Sequence, residues 1–313
     1  MKKVSARGKI LSIIAMACLF LPGLCYAGID SLIVPYTAIE DVVYGQKEGM
    51  GLTLDVLQPA ADKRNGIGIV LISSGGWKSE KSNVPEEVAK FRKDHWAMGL
   101  LQNGFTAFVV RHGSTPRFHV PEMVEDIRRS VRFVRMKAAD YGIDPNRIGI
   151  TSGSSGGHLA LMVGLTGDDG HPDSPDPVER VSCRVQSIMA WFPPTDLINW
   201  GMPDGYKMIE TARPGFFETT FGKVTNLPEQ LKSISPIYFV TPDDPPLFLI
   251  HGDADKTVPV QQSEILKAKY EEAGLKVKLI VHPGGPHTYW DGIENEYPGI
   301  AEWFKAAGAK KSN

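Results

Sequence analysis

The chain has 313 residues, 42% of them hydrophobic, with 34 Lys and Arg against 36 Asp and Glu and three cysteines. This length suits one large α/β domain whose core needs no disulfide staples. The acid-leaning charge balance argues against a nucleic-acid or anionic-surface binder.

The first residues read as an export leader. Lys2, Lys3, Arg7 and Lys9 form a basic head, Ile10 to Leu24 is an apolar run, and Cys25-Tyr26-Ala27 ends in a small residue. That layout predicts a signal peptide over 1–27 with cleavage after Ala27. The apolar run is short for a membrane span, so no stable membrane insertion is expected after cleavage. A lipoprotein is the lesser alternative, because Leu24 is bulky where a lipidation site wants a small residue before Cys25. The mature chain, 28–313, then carries 30 basic residues against 36 acids, a net charge of −6 with histidine neutral. Cys18 and Cys25 leave with the leader, and Cys183 remains with no internal partner. A periplasmic or secreted location is expected.

Eight strand-like segments follow in chain order: Ala38–Tyr44, Leu52–Leu57, Ile67–Ser73, Thr106–Arg111, Arg147–Thr151, Val185–Phe192, Leu247–His251 and Val277–His282. Runs such as Ile69-Val70-Leu71-Ile72 and Phe248-Leu249-Ile250 suit strands covered on both faces, hence a parallel sheet. Helical patterns separate them. Pro85–Asn103 is the first. Pro121–Tyr141 repeats Val124, Ile127, Val131, Val134 and Ala138 at steps of three and four, one apolar stripe, and its Arg128, Arg129, Arg132 and Arg135 read as a solvated face. A helical stretch begins at His158. Val260–Ala273 is closed by Gly274, and Glu296–Ala307 comes last. Alternating strands and helices predict a doubly wound, mostly parallel eight-stranded sheet. Gly164–Cys183, rich in Gly, Asp and Pro, reads as a surface loop. The long mixed stretch of about 196–246, with Trp200, Tyr206, Phe216, Phe217 and Phe221, reads as an insertion over the sheet, either a small cap or an ordinary packed excursion.

The most telling segment runs from Ile148 to Gly157. A buried strand enters Gly153-Ser154-Ser155-Gly156-Gly157, a G-x-S-x-G pattern centred on Ser155. On such a strand-to-helix turn the central hydroxyl is pushed out above the sheet, and glycine is needed where a Cβ would strike neighbouring backbone. A serine hydroxyl needs a base to become a nucleophile, and the base needs an orienting group. Of the eight histidines, His287 sits in Pro283-Gly284-Gly285-Pro286-His287, a flexible turn just past the last strand, and is the candidate base. The acid is expected in Gly252-Asp253-Ala254-Asp255, with Asp255 chosen, Asp253 the close alternative engaged in its own turn, and Asp196 a distant third. Ser73-Ser74-Gly75-Gly76-Trp77 follows the third strand and offers backbone N–H groups for an oxyanion, joined by the amide of Gly156. Trp77, Phe118, Tyr289 and Trp290 are candidate pocket walls. No compact His/Cys/Asp cluster points to a metal, and no cofactor is expected.

These residues resemble the α/β-hydrolase family, in particular bacterial esterases related to hormone-sensitive lipase and acetyl- or feruloyl-esterase-like enzymes. The carriers are Ser74-Gly75-Gly76-Trp77, Gly142-Ile143-Asp144-Pro145-Asn146-Arg147-Ile148, Gly153-Ser154-Ser155-Gly156-Gly157-His158-Leu159-Ala160, Ser235-Pro236-Ile237, His251-Gly252-Asp253-Ala254-Asp255 and Gly284-Gly285-Pro286-His287. The resemblance implies Ser155 as nucleophile, Asp255 as acid, His287 as base, and Gly75, Gly76 and Gly156 as the oxyanion hole. One departure stands out: Ser73 and Ser74 occupy places where these esterases usually have His-Gly. The expected activity is hydrolysis of carboxylic esters through an acyl-enzyme, with small-molecule or carbohydrate esters as substrates. Two alternatives remain open, a prolyl-oligopeptidase-like serine peptidase, for whose propeller the chain has no room, and a catalytically silent binding protein on the same scaffold.

Overall fold

The computed structural model describes residues 34–80, 95–223, 225–287, 290 and 292–307, all within the unit Leu32–Asn313. The expected leader and the first part of the expected helix Pro85–Asn103 lie outside the described residues.

All eight expected strands are present: β1 (Tyr36–Lys47), β2 (Met50–Pro59), β3 (Gly68–Ile72), β4 (Thr106–Val110), β5 (Ile148–Gly153), β6 (Ser187–Trp191), β7 (Leu247–Gly252) and β8 (Val277–His282). They form one sheet in the order β1-β2-β4-β3-β5-β6-β7-β8. β1 pairs antiparallel with β2 and β2 antiparallel with β4, and every pair from β4 across to β8 is parallel. The central strands β3, β5, β6 and β7 are buried along their whole length. The apolar runs of β3 and β7, and the small residues of β5, are what a sheet covered on both faces accommodates.

The helices are α1 (His95–Gln102), α2 (Val120–Met136), α3 (Ser154–Leu165), α4 (Tyr206–Ala212), α5 (Phe216–Phe221), α6 (Leu227–Ser233), α7 (Gln261–Glu272) and α8 (Tyr297–Ala307). α2 starts with Pro121 in its first turn, where the missing N–H costs nothing, and buries Val124, Ile127, Val131 and Val134. Full burial of such a side chain is worth about 1.5–3 kcal/mol. One core gathers the residues of α2, α3 and α7 against the sheet, and a second gathers Leu100 of α1 and Tyr297, Ile300, Trp303 and Phe304 of α8. The insertion of about 196–246 carries α4, α5 and α6.

The arginine face of α2 departs from expectation. It is not solvated; it holds down the loop between α3 and β6. Arg132 is 2% exposed and bonds Asp168 Oδ1 at 2.5 Å. Arg129 reaches Asp176 and Glu179, each at 2.7 Å. Arg128 donates to the Thr166 carbonyl, and Arg135 donates to the carbonyls of Pro145, Ser182 and Arg184. A loop rich in Gly, Asp and Pro has little apolar surface of its own to bury, so charged fork contacts to backbone and carboxylate fix it instead.

Replacing the buried guanidinium tests this. Arg132→Met strips Asp168 of its partner, and because Asp168 is partly exposed the loss falls short of that for a fully buried pair, at about 2 kcal/mol. Urea denaturation is expected to show that loss, with limited proteolysis cutting first within 166–184.

Candidate active site

The strand order fixes where a site can form. From β3 the chain crosses to β4 on one side, then returns past β3 to β5 on the other. The loops leaving the carboxyl ends of β3 and β5 therefore diverge, and the crevice between them is where open α/β sheets bind ligands. The loop after β3 is Ser73–Trp77, and the turn after β5 begins at Ser154.

At that turn the structure corrects the serine. α3 starts at Ser154, four residues earlier than the sequence pattern predicts. Ser154 has φ of 54°, a left-handed backbone that L-residues with a Cβ adopt at a cost. Its Oγ lies 2.8 Å from His287 Nε2. Ser155, expected to hold this place, is 1% exposed, and its Oγ faces Ser74 Oγ at 3.1 Å. The elbow is thus Ser152-Gly153-Ser154-Ser155-Gly156, with Ser152 where the five-residue pattern has its first glycine. Ser152 Oγ donates to the Ile72 carbonyl at 2.6 Å. Gly156 follows for steric reasons: a Cβ there would stand 2.1 Å from Ser152 Oγ, while one on Gly157 would meet Pro193 Cβ at 3.2 Å.

The base and the acid meet because two turns are zipped together. Asp253 N donates to the His282 carbonyl, Ala254 N to the Gly285 carbonyl, and Gly284 N to Asp253 Oδ1 at 2.6 Å. Asp253, expected to bond its own backbone, thus ties down the histidine turn. A Cβ on Gly252 would meet the Gly285 carbonyl oxygen at 2.0 Å, so glycine permits this approach. Asp255 Oδ2 then sits 2.6 Å from His287 Nδ1. Its Oδ1 accepts from the amides of Thr257 at 2.8 Å and Val258 at 2.9 Å. Burial opposes the charge on Asp255, but hydrogen bonds from His251, His287, Val258 and Thr257 outweigh it and hold the carboxyl well below the usual carboxylate range. Asp196 does not take part: its Oδ1 accepts from the amides of Ile198 and Asn199 where the insertion begins.

The loop after β3 is anchored by its tryptophan. Trp77 is buried, donates from Nε1 to His158 Nδ1 at 3.2 Å, and packs edge-on against the His158 and Phe221 rings. His158 Nε2 meets the Ile234 carbonyl at 2.7 Å. Burial pushes His158 down to about 4, with the Ile234 hydrogen bond acting against it. The expected oxyanion glycines separate. Gly75 N–H is spent on the Lys78 carbonyl at 2.9 Å, so it closes the loop. Gly76 is exposed, with φ of 57°. Because α3 starts at Ser154 with no side-chain cap, the N–H groups of Ser155 and Gly156 lack intrahelical acceptors. The residue directly after Ser154 is Ser155, one position before the expected donor Gly156.

The expected pocket walls are mostly core. Trp77 is the loop anchor. Phe118 is buried, with its ring against Gly113 and beneath Lys47 Nζ. Trp290 is buried, stacked on His282 and edge-on to Trp191. Tyr289 lies outside the described residues. Sequence reasoning missed Phe192, which has φ of 37° and whose ring centroid lies 4.7 Å from that of His287. It stands directly after β6, level with Ser154 after β5, and a bulky residue at a strand's carboxyl end is the signal that could have found it.

The sheet, the crevice and the Ser154, His287 and Asp255 contacts are those of an α/β-hydrolase. The comparisons agree on the fold and the family. The BD-FAE family model matches residues 54–270, and the chain belongs to that family of α/β-hydrolase esterases. It is 32% identical over 193 residues to Esterase LipQ of Mycobacterium tuberculosis, an alignment covering 61% of this chain and 44% of LipQ. The chain spans less than half the length of these first curated relatives, 37% in the case of the probable carboxylic ester hydrolase LipM of the same organism. A carbohydrate esterase from gut microbiota, solved in truncated form, superposes with a TM-score of 0.71 at 29% identity, covering 88% of this chain and 97% of that one. The acetyl ester-xyloside bifunctional hydrolase of Caldicellulosiruptor lactoaceticus gives 0.69 at 25% identity, with 86% and 96% covered.

The packing at Gly156 gives a test of the elbow. Gly156→Ala is expected to destabilise the fold by about 1–3 kcal/mol through overpacking. Adding Ser152→Gly removes the atoms that the new methyl strikes. A thermal-denaturation double-mutant cycle is expected to show that the second change recovers part of the loss.

Proposed function

We propose that the protein is a serine carboxylic ester hydrolase working through an acyl-enzyme, with Ser154 as nucleophile, His287 as general base and acid, and Asp255 as its orienting carboxylate. The observation that carries this is the unbroken path from Ser154 Oγ to His287 Nε2 at 2.8 Å and from His287 Nδ1 to Asp255 Oδ2 at 2.6 Å. Ser154 Oγ attacks the ester carbonyl as its proton passes to His287 Nε2. The amides of Ser155 and Gly76 hold the oxyanion, each such donor lowering the barrier by ~3 kcal/mol. Collapse breaks the bond to the alcohol, which leaves with the proton from His287. Water then attacks the acyl carbon, its proton going to His287, and Ser154 is released with the acid.

Acyl groups on carbohydrates are the proposed substrate class, supported by the likeness to the carbohydrate esterase and to the acetyl ester-xyloside hydrolase. We also propose an exported enzyme, on the basic head, apolar run and small residue at Ala27. Expression with export is expected to yield a chain whose mass begins at Gly28; an intact Met1 in the exported fraction overturns that part.

Ser154→Ala is expected to lower kcat by about 10⁴-fold or more and to abolish fluorophosphonate labelling, while Ser155→Ala keeps its label on Ser154. Labelling of Ser155 in the parent chain overturns the assignment. With falling pH, activity is expected to decline along a limb of one proton, because a protonated His287 no longer accepts from Ser154. Asp255, held charged by its hydrogen bonds, adds no second proton, and neither does His158, kept neutral by burial. A two-proton limb in kcat/KM counts against this arrangement.

A further inference from the structure

Beneath Asp255 lies a second histidine to which the proposed mechanism gives no part. His251, on β7, is fully buried, as is the Asp255 side chain. Its Nε2 lies 2.9 Å from the Val258 carbonyl oxygen and 3.3 Å from Asp255 Oδ2, and its Nδ1 lies 2.8 Å from Ser263 Oγ on α7. A carbonyl can only accept, so Nε2 carries a proton on the side shared by Val258 and Asp255. Val258 is held at both ends, its N–H on Asp255 Oδ1 and its carbonyl on His251. Asp255 Oδ2 in turn is shared by two imidazoles, from His287 and from His251. Two amides on Oδ1 and two rings on Oδ2 use about all the lone-pair directions a carboxylate offers. Phe192 packs against both rings, with centroids 4.7 Å from His287 and 6.3 Å from His251.

We propose that His251 is a positioning residue for the reaction, aiming Asp255 Oδ2 at His287 from below, an inference that rests on Ser154, His287 and Asp255 acting as set out above. The groups facing His251 are Asp255 and the Val258 carbonyl from the turn after β7, Ser263 from α7, and Phe192 from the end of β6, with His287 reached through Asp255. A filler of the same volume would pack the site equally well. What the imidazole adds is an N–H that fixes which way the carboxylate oxygen points and shares its charge.

The test compares the full chain with His251→Leu, His251→Gln and Ser263→Ala, after circular dichroism has shown which are folded. His251→Leu is expected to lower kcat about tenfold with KM little changed. Its acid limb in kcat/KM moves to higher pH, because a carboxylate stripped of one donor holds the His287 proton more tightly. The downfield Nδ1 proton resonance of His287 is expected to shift in the same variant. His251→Gln, which returns an N–H of similar reach, is expected to restore the limb. An unchanged limb and an unchanged kcat in folded His251→Leu overturn the proposal. Should His251→Leu not fold, Ser263→Ala decides, with a smaller shift in the same direction expected and no shift overturning. Failure of the underlying reading registers separately: a wild-type chain labelled by fluorophosphonate at a serine other than Ser154 removes that reading and this proposal together.

Discussion

The left-handed turn at Ser154 is the constraint around which the rest of the site is arranged. A residue with a Cβ at φ of 54° costs roughly 1–2 kcal/mol, and it persists because its surroundings leave no alternative. β5 is laddered to β6 as far as Gly153 opposite Trp191, and α3 begins in the next residue. Ser152 is tied to the Ile72 carbonyl, and Gly156 comes down on top of it. The strain is therefore held between a strand that cannot end later and a helix that cannot start later. The same crowding keeps the serine hydroxyl out of the helix and on the side of the crevice where His287 arrives.

Most of this fold was legible in the sequence, and the physical reason is periodicity. All eight strands lie where continuous or alternating apolar runs predict, and for the central strands β3, β5, β6 and β7 burial on both faces is the reason. The pairing of Asp255 with His287 was legible because each follows a strand in a glycine-containing turn. The serine that meets His287 is Ser154, one residue before the centre of the literal pattern. The literal G-x-S-x-G centres on Ser155, whereas the operative turn has Ser152 in place of the first glycine, and φ at Ser154 is a property of the folded backbone. The aromatic residues were misread for another reason. Trp77, Phe118 and Trp290 lie beside motif residues, but sequence proximity does not say which side of the loop faces the core. The arginine face of α2 failed similarly: a charged stripe looks the same whether water or a polar loop covers it.

Asp255 and His287 stand 32 residues apart, and their approach rests on close backbone contact between two turns together with the Asp253 side chain. Gly252 and Gly285 let two turns come into contact that side chains would hold apart. Once they are in contact, the buried carboxylate would be costly without donors, and four surround it. Such a network is strong when complete and costly when broken. Its completeness is what makes His251 more than filler.

A related arrangement explains how the loop after β3 stays in place with serines at its start. Ser73 N is bound to the Val110 carbonyl and Ser74 Oγ faces Ser155, which fixes the loop's base. Its far end is fixed through His158. One ring nitrogen accepts from Trp77 and the other meets the carbonyl of Ile234, near the end of the inserted segment. This division of labour needs an imidazole with one proton, since an indole N–H cannot accept and a carbonyl cannot donate. Burial enforces that state by pushing His158 down to about 4. The inserted segment touches the other side of the site as well, because Gln261 and Gln262, a few residues beyond Asp255, donate to the Asn199 carbonyl. The insertion thus contacts both sides of the site: Phe216 and Phe221 pack on Trp77 in the loop after β3, and Asn199 is bound at the start of α7.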